Sequence, residues 1–408
     1  MKIFDFASNN RLAIRESITE VAFRGALGIL MILAAYSISA RQLGTYNLAA
    51  SLGVCFGGLY GGGWAFRIST RNIRKIGSAS ALLHVIVVFV ASFSILCIVF
   101  LAHFLVLSSV LVIGLFGFLV NSFFSALLEV LWGANAINST ILSFSTKKLI
   151  VTLSSSLMLL INFAWHPKIL LLICVQPIIN FLILFVNRSS LRALLAISFN
   201  KAIIRKTFSA KFEIANSFEL SIVGLVTMLT YVIDNLLVAY KFDLSELPSY
   251  SIAFAAVAFP TGIIGTTVQR LFSIKGTLII SVRLLVRLAW VTLVLNLIAS
   301  SLLFCVMQIR SNGIISKSLE LSFLLYPYSY SRIVSIVLGV KFGREGNLLW
   351  SLSANFMQIL LVAGGVWTLG GWLGLPGVAI SVSFASVIAS VFLYLGMKSG
   401  ISSEGISS

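Results

Sequence analysis

Residues 79–101 read ASALLHVIVVFVASFSILCIVFL, a run without a single Asp, Glu, Lys or Arg. Coiled as a helix, such a run is about 34 Å long at about 1.5 Å per residue, enough to cross a hydrocarbon core of about 30 Å. No water reaches a backbone at that depth, so only a helix or a closed barrel satisfies its amides and carbonyls. The run lacks the apolar/polar alternation of a barrel strand and therefore reads as a helix. Comparable stretches recur at 18–39, 44–66, 106–133, 149–165 and 169–187. They continue at 214–239, 249–271, 284–307, 321–340, 348–369 and 375–396. The whole chain agrees: 59% of its 408 residues are apolar, 10% are charged and the mean hydropathy is +1.05. A soluble domain carries about 25% charged residues. The expectation is an all-α polytopic membrane protein of about twelve transmembrane helices.

The net charge of +17 comes from 29 Lys and Arg against 12 Asp and Glu. Nucleic acid is not the expected partner, because no soluble segment interleaves basic and aromatic residues as single-strand binding requires. Basic residues in such a chain mark cytoplasmic loops. With a cytoplasmic N-terminus, 22 of the 29 lie in inside segments. Five lie outside (Arg41, Lys168, Lys241, Arg310 and Lys317), while Arg24 and Arg332 fall within spans. Both termini are therefore expected in the cytoplasm. The apolar block after the basic N-terminal stretch is too long for a cleaved leader and lacks a small-residue cleavage site.

The longest inside segment, 191–212, divides the chain into 1–190 and 213–408 with six spans each. Tyr46-Asn47-Leu48-Ala49-Ala50 opens span two and Tyr250-Ser251-Ile252-Ala253-Phe254 opens span eight, 204 residues later, half the chain length. Arg67 and Arg270 close the same spans at nearly the same offset. An even number of spans per half gives a parallel repeat, so two parallel six-helix bundles are expected, an arrangement found in secondary transporters.

No P-loop G-x-x-x-x-G-K-[ST], metalloprotease H-E-x-x-H or nucleophile elbow G-x-S-x-G occurs, so neither ATP-driven transport nor these hydrolytic chemistries is indicated. Cys55, Cys97, Cys174 and Cys305 stand alone in apolar stretches, without metal-ligand spacing. His84, His103 and His166 are equally dispersed. No metal or cofactor is expected.

Ionisable groups inside spans are costly and mark function by default. Arg332 is the deepest, about eight residues or about 12 Å from the inner end of span ten, beyond comfortable snorkelling. It follows Tyr326-Pro327-Tyr328-Ser329-Tyr330, where Pro327 removes a backbone bond and bends the helix. An Arg beside Tyr326, Tyr328 and Tyr330 suits phosphate pairing and sugar stacking, which makes these residues candidates to line a substrate cavity. Arg24 either serves transport or pairs with Glu20 at i, i+4. Asp234 either links transport to an ion gradient, caps a helix end, or pairs with Lys241. Arg67, Arg71, Arg74 and Lys75 share one helix face by spacing. They attract anionic headgroups or recruit a lipid diphosphate, and Arg270, Lys275, Arg283 and Arg287 carry the same two readings.

Three stretches resemble the polysaccharide (Wzx-type) flippases of the multidrug/oligosaccharidyl-lipid/polysaccharide exporter superfamily. Ser39-Ala40-Arg41-Gln42-Leu43-Gly44-Thr45-Tyr46-Asn47 is similar to that family's first external turn, with Asn47 where the family usually has Gly. Asp234-Asn235-Leu236-Leu237-Val238-Ala239-Tyr240, followed by Tyr250-Ser251-Ile252-Ala253, resembles its span-seven Asp and the opening of span eight, with Asn235 where a basic residue is common. Gly374-Leu375-Pro376-Gly377-Val378-Ala379-Ile380 resembles the start of its last span. The resemblance implies a carrier of undecaprenyl-diphosphate-linked oligosaccharide, such as an O-antigen unit in lipopolysaccharide biosynthesis. The cargo would pass from the cytoplasmic to the outer leaflet of a bacterial inner membrane, more in keeping with a Gram-negative host. Alternating access of the two halves would move it, driven by an ion gradient. Membrane lipids, polysaccharide polymerase and chain-length proteins are the partners it implies. A cation-coupled multidrug exporter of the same superfamily would favour acidic residues in its spans. A membrane polymerase or ligase would need a large external loop, and the external loops here are short.

Overall fold

The computed structural model describes residues 11–60, 76–103, 108–137, 140–198, 211–275, 282–309, 312–345 and 348–404. Within them every regular element is a helix. In chain order these are α1 (Arg11–Ser37), α2 (Ala40–Leu59), α3 (Ile76–His103), α4 (Ser109–Ile137), α5 (Ile141–Trp165), α6 (Ile169–Val186) and α7 (Arg188–Ser198). The second series is α8 (Lys211–Lys241), α9 (Leu247–Lys275), α10 (Val282–Ile309), α11 (Gly313–Leu324), α12 (Tyr326–Glu345), α13 (Leu348–Leu373) and α14 (Leu375–Glu404). Ten are long and apolar enough to cross a membrane, and α11 with α12 makes an eleventh as a bent pair. The chain is thus an all-α, multi-pass membrane protein.

Two expected spans depart from the simple pattern. Helix α2 covers the described part of span two; over those residues Thr45, Asn47 and Ser51 make it more polar than the ten, and residues 61–66 of the expected span lie outside the described residues. Span ten, expected as one helix bent at Pro327, is two helices meeting at Leu325 with a bend of 55°. Proline explains the displacement. A continuous helix would need a Pro327 amide hydrogen and would drive its ring into the carbonyl four residues back. In the first turn of α12 no intrahelical partner is required, so the break falls just ahead of it.

The described helices divide into two compact units. One comprises the described residues of Met1–Leu30, Leu48–Met228 and Ser273–Gly276; the other those of Met31–Asn47, Leu229–Phe272 and Thr277–Ser408. In the first unit, polar side chains tie apolar helices together. Asn121 Nδ2 of α4 donates to Gln176 Oε1 of α6 at 2.8 Å, and Asn180 Nδ2 donates back to Asn121 Oδ1 and Ser125 Oγ, both at 2.9 Å. Glu16 of α1, 1% exposed, accepts from Ser145 and from Lys148 Nζ (3.0 Å) of α5.

The second unit closes through small residues. On α12 and α14, Ser331 donates to Ser386 at 2.7 Å, Ser335 meets Ser390 at 2.9 Å, and Ser390 also donates to the Ser331 carbonyl at 2.6 Å. Serines at an intramembrane interface permit close backbones and supply hydrogen bonds where lipid supplies none. Beside them lies an apolar core that includes Ile333, Val337, Leu338 and Ala389.

Gly44 of α2 belongs to this second unit. A Cβ there would lie 1.8 Å from the carbonyl oxygen of Leu244, so only a hydrogen fits. Gly44→Val is expected to lower the melting temperature of the purified protein by several degrees and broaden its gel-filtration peak. An unchanged melting temperature would show that the turn at Leu244 yields freely.

Candidate functional site

Helices α8 and α12 carry the two most buried charges among the described residues of the second unit. Arg332 and Asp234 are each 2% exposed. On α8, Thr230, Tyr231 and Asp234 are spaced at i, i+1 and i+4 and so share a face. On α12, Tyr328 precedes Arg332 by four residues and lies over the same face. The guanidinium of Arg332 stands 3.7 Å from the centroid of the Tyr231 ring. Its Nη2 donates to Thr230 Oγ1 at 3.0 Å and its Nη1 to Gln358 Oε1 of α13 at 3.3 Å. Its Nε has no partner among the described residues, nor has Gln358 Nε2 or the Tyr328 hydroxyl. No described carboxylate lies within ion-pairing distance of it. An enclosed cation held only by neutral groups and a ring keeps its full charge for an anion, and the aromatic face offsets part of its desolvation.

Asp234 is held from the neighbouring helix. The Tyr250 hydroxyl of α9 donates to Asp234 Oδ2 at 2.6 Å, and one position along each helix Ser251 Oγ donates to Asn235 Oδ1 at 2.9 Å. The two short motifs quoted from spans seven and eight are therefore two sides of one seam. An aromatic chain continues it: the Tyr250 and Phe254 rings stack at 6.3 Å, and Phe254 meets Tyr328 at 5.0 Å. Lys241 does not reach Asp234. Its Nζ donates to the carbonyls of Val366 (2.8 Å) and Trp367 (2.9 Å) on α13, because two helical turns separate the residues by about 10 Å.

The remaining sequence candidates scatter. Tyr326 donates to Ser300 Oγ of α10 at 2.7 Å, away from Arg332, and Tyr330 is half-exposed on the face of α12 it shares with Tyr326. Arg24 pairs with Glu20 on its own helix and keeps 40% of its side chain exposed. Arg67, Arg71, Arg74 and Lys75 lie outside the described residues, as do the side chains of Arg270 and Lys275. Arg283 and Arg287 are exposed at the start of α10.

No protein-family pattern matches the sequence, and no curated relative does. Solved structures do match in shape. A lipid II flippase MurJ in an inward closed conformation superposes with a TM-score of 0.64 at 14% identity, over 95% of this chain and 87% of that one. An inward-facing multidrug resistance MATE family transporter of the MOP superfamily gives 0.60 at 13% identity, over 97% and 99%. A MOP superfamily transporter from Pyrococcus furiosus, described by the reverse polarity of its binding pocket, gives 0.57 at 12% identity, over 96% and 95%. The chain shares the fold of these proteins.

Thr230, Tyr231 and Gln358 were not singled out in the sequence, where only ionisable groups within spans attract notice. Neutral polar residues one turn from Asp234, or amides such as Gln358 within a largely apolar span, are the signal that points to them. The seam makes a separable prediction. Tyr250→Phe removes the donor to a buried carboxylate and is expected to cost about 1–3 kcal/mol, seen as a lower melting temperature. Asp234→Asn keeps an acceptor for the same hydroxyl and is expected to melt close to the parent protein. Equal losses in both variants would mean that the hydrogen bond is not what holds the seam.

Proposed function

We propose that this chain is a membrane carrier that moves a lipid-linked, diphosphate-bearing oligosaccharide from the cytoplasmic to the outer leaflet of a bacterial inner membrane. The observation that carries this reading is Arg332, an enclosed guanidinium with no described counter-charge, set against the Tyr231 ring and beside Tyr328. A diphosphate headgroup supplies the charge this group lacks, and guanidinium recognises phosphate in a forked geometry. Neighbouring rings suit sugar faces, while the lipid tail stays in the bilayer. The fold shared with a lipid II flippase supports the same class of cargo. Arg332 acts as the headgroup site, and its 3.3 Å bond to Gln358 is the contact an incoming phosphate replaces. Asp234, buried and held by the Tyr250 hydroxyl, is the coupling group that takes up a proton or a cation. The two halves of the chain alternate access, and polysaccharide polymerase and chain-length proteins are its partners.

A second reading, a cation-coupled multidrug exporter, is favoured by the fold shared with a MATE family transporter over 97% of this chain and by the equal burial of Asp234 and Arg332.

Purified protein in proteoliposomes separates the two. Under the flippase reading, labelled undecaprenyl-diphosphate oligosaccharide reaches the opposite leaflet at least tenfold faster than in empty vesicles. Arg332→Ala abolishes that gain, Arg332→Lys restores part of it, and ethidium does not move. Transport of ethidium with no movement of the lipid-linked sugar would sink the flippase reading in favour of the exporter.

A further inference from the structure

The geometry points to a second lipid-binding place on the first unit: the corner between α6 and α7 holds one anionic phospholipid, its phosphate on Arg188 and Arg192 and its chains along Phe185 and Phe181. This place is independent of Arg332 and of the cargo proposed above.

Helix α6 is an 18-residue span of hydropathy 2.7 that ends at Val186. Asn187 turns the chain there. It is 3% exposed, its side chain caps the Ile183 carbonyl at 2.8 Å, and its own carbonyl accepts from Leu191 in the first turn of α7. The turn puts Arg188 where hydrocarbon gives way to headgroups. Helix α7 buries Leu194 toward the protein and leaves Arg188 and Arg192, four residues apart, exposed on the far side. Instead of extending away from the membrane, the Arg188 guanidinium reaches back to 5.3 Å from the Phe185 ring centroid. Phe185 stacks on Phe181 at 6.4 Å, and both rings are more than half exposed. The corner is thus a pair of cations capping an open aromatic stripe on a spanning helix.

Charge complementarity selects the occupant. Between Glu129 and Glu213 the sequence contains nine Lys or Arg and no Asp or Glu. Among the described residues no carboxylate pairs with Arg188 or Arg192. A phosphodiester at the membrane surface supplies the missing negative charge, guanidinium binds it in a fork, and two acyl chains cover rings that face lipid. A zwitterionic headgroup brings no net charge to this corner.

The test uses the full-length protein, released from bilayers of phosphatidylglycerol and phosphatidylcholine and weighed intact by native mass spectrometry. The expected result is one retained phosphatidylglycerol in preference to phosphatidylcholine. Each arginine contributes about a fivefold gain in affinity at low salt, so Arg188→Ala with Arg192→Ala should weaken retention by about thirtyfold. Lysine at both positions should keep most of it, and a photoreactive acyl chain should label the segment that contains Phe181 and Phe185. Equal retention of phosphatidylcholine, or full retention by the double alanine variant, would overturn the site. Displacement of phosphatidylglycerol by one equivalent of undecaprenyl phosphate would overturn the choice of occupant. Both arginines are exposed, so the alanine protein should fold; if it does not, the loss on exchange to phosphatidylcholine in the parent protein decides the matter. None of these readouts depends on transport.

Discussion

Hydrocarbon gives a polar group nothing to bond with, and every feature of this chain follows from how it meets that constraint. The backbone meets it by coiling, which is why the described residues contain helices and no strand. Side chains meet it by pairing across helices: amides with amides between α4 and α6, hydroxyls with hydroxyls between α12 and α14. The bonds are short and mostly neutral. Such contacts cost little to desolvate, and they fix one helix rotation against another where apolar packing alone would let it slide.

Against that background Arg332 and Asp234 stand out as the groups whose burial is not repaid by an opposite charge in contact. Asp234 has a hydroxyl, and Arg332 has a hydroxyl, an amide and a ring. The neutral shell is chemically consistent. It keeps each group in place while leaving its charge uncancelled by an ion pair.

Much of this was legible in the sequence, because hydropathy over twenty residues is a strong, local signal. The spans, the depth of Arg332 and the pairing of Arg24 with Glu20 all follow from spacing along one helix. What was less legible depends on relations between helices. The three tyrosines before Arg332 look like one group in the sequence, yet a period of 3.6 sends Tyr328 toward Arg332 and Tyr326 toward α10. The two loose motifs of spans seven and eight gain meaning only when Asp234 and Asn235 are seen beside Tyr250 and Ser251. Thr230, Tyr231 and Gln358 carry no charge, and nothing local distinguishes them from residues that merely fill space.

The break at Leu325 also gives the second unit leverage. A helix of the length of α12 spans about 30 Å, with its pivot beside Tyr326, which Ser300 ties to α10. A turn of about 10° at that pivot would carry the far end of α12 some 5 Å, by about 1.5 Å of rise per residue. Arg332, fewer than two turns from the pivot, would move less than about 2 Å. A sweep large enough to re-sort headgroups at the membrane surface would thus reach Arg332 as a displacement no longer than one hydrogen bond.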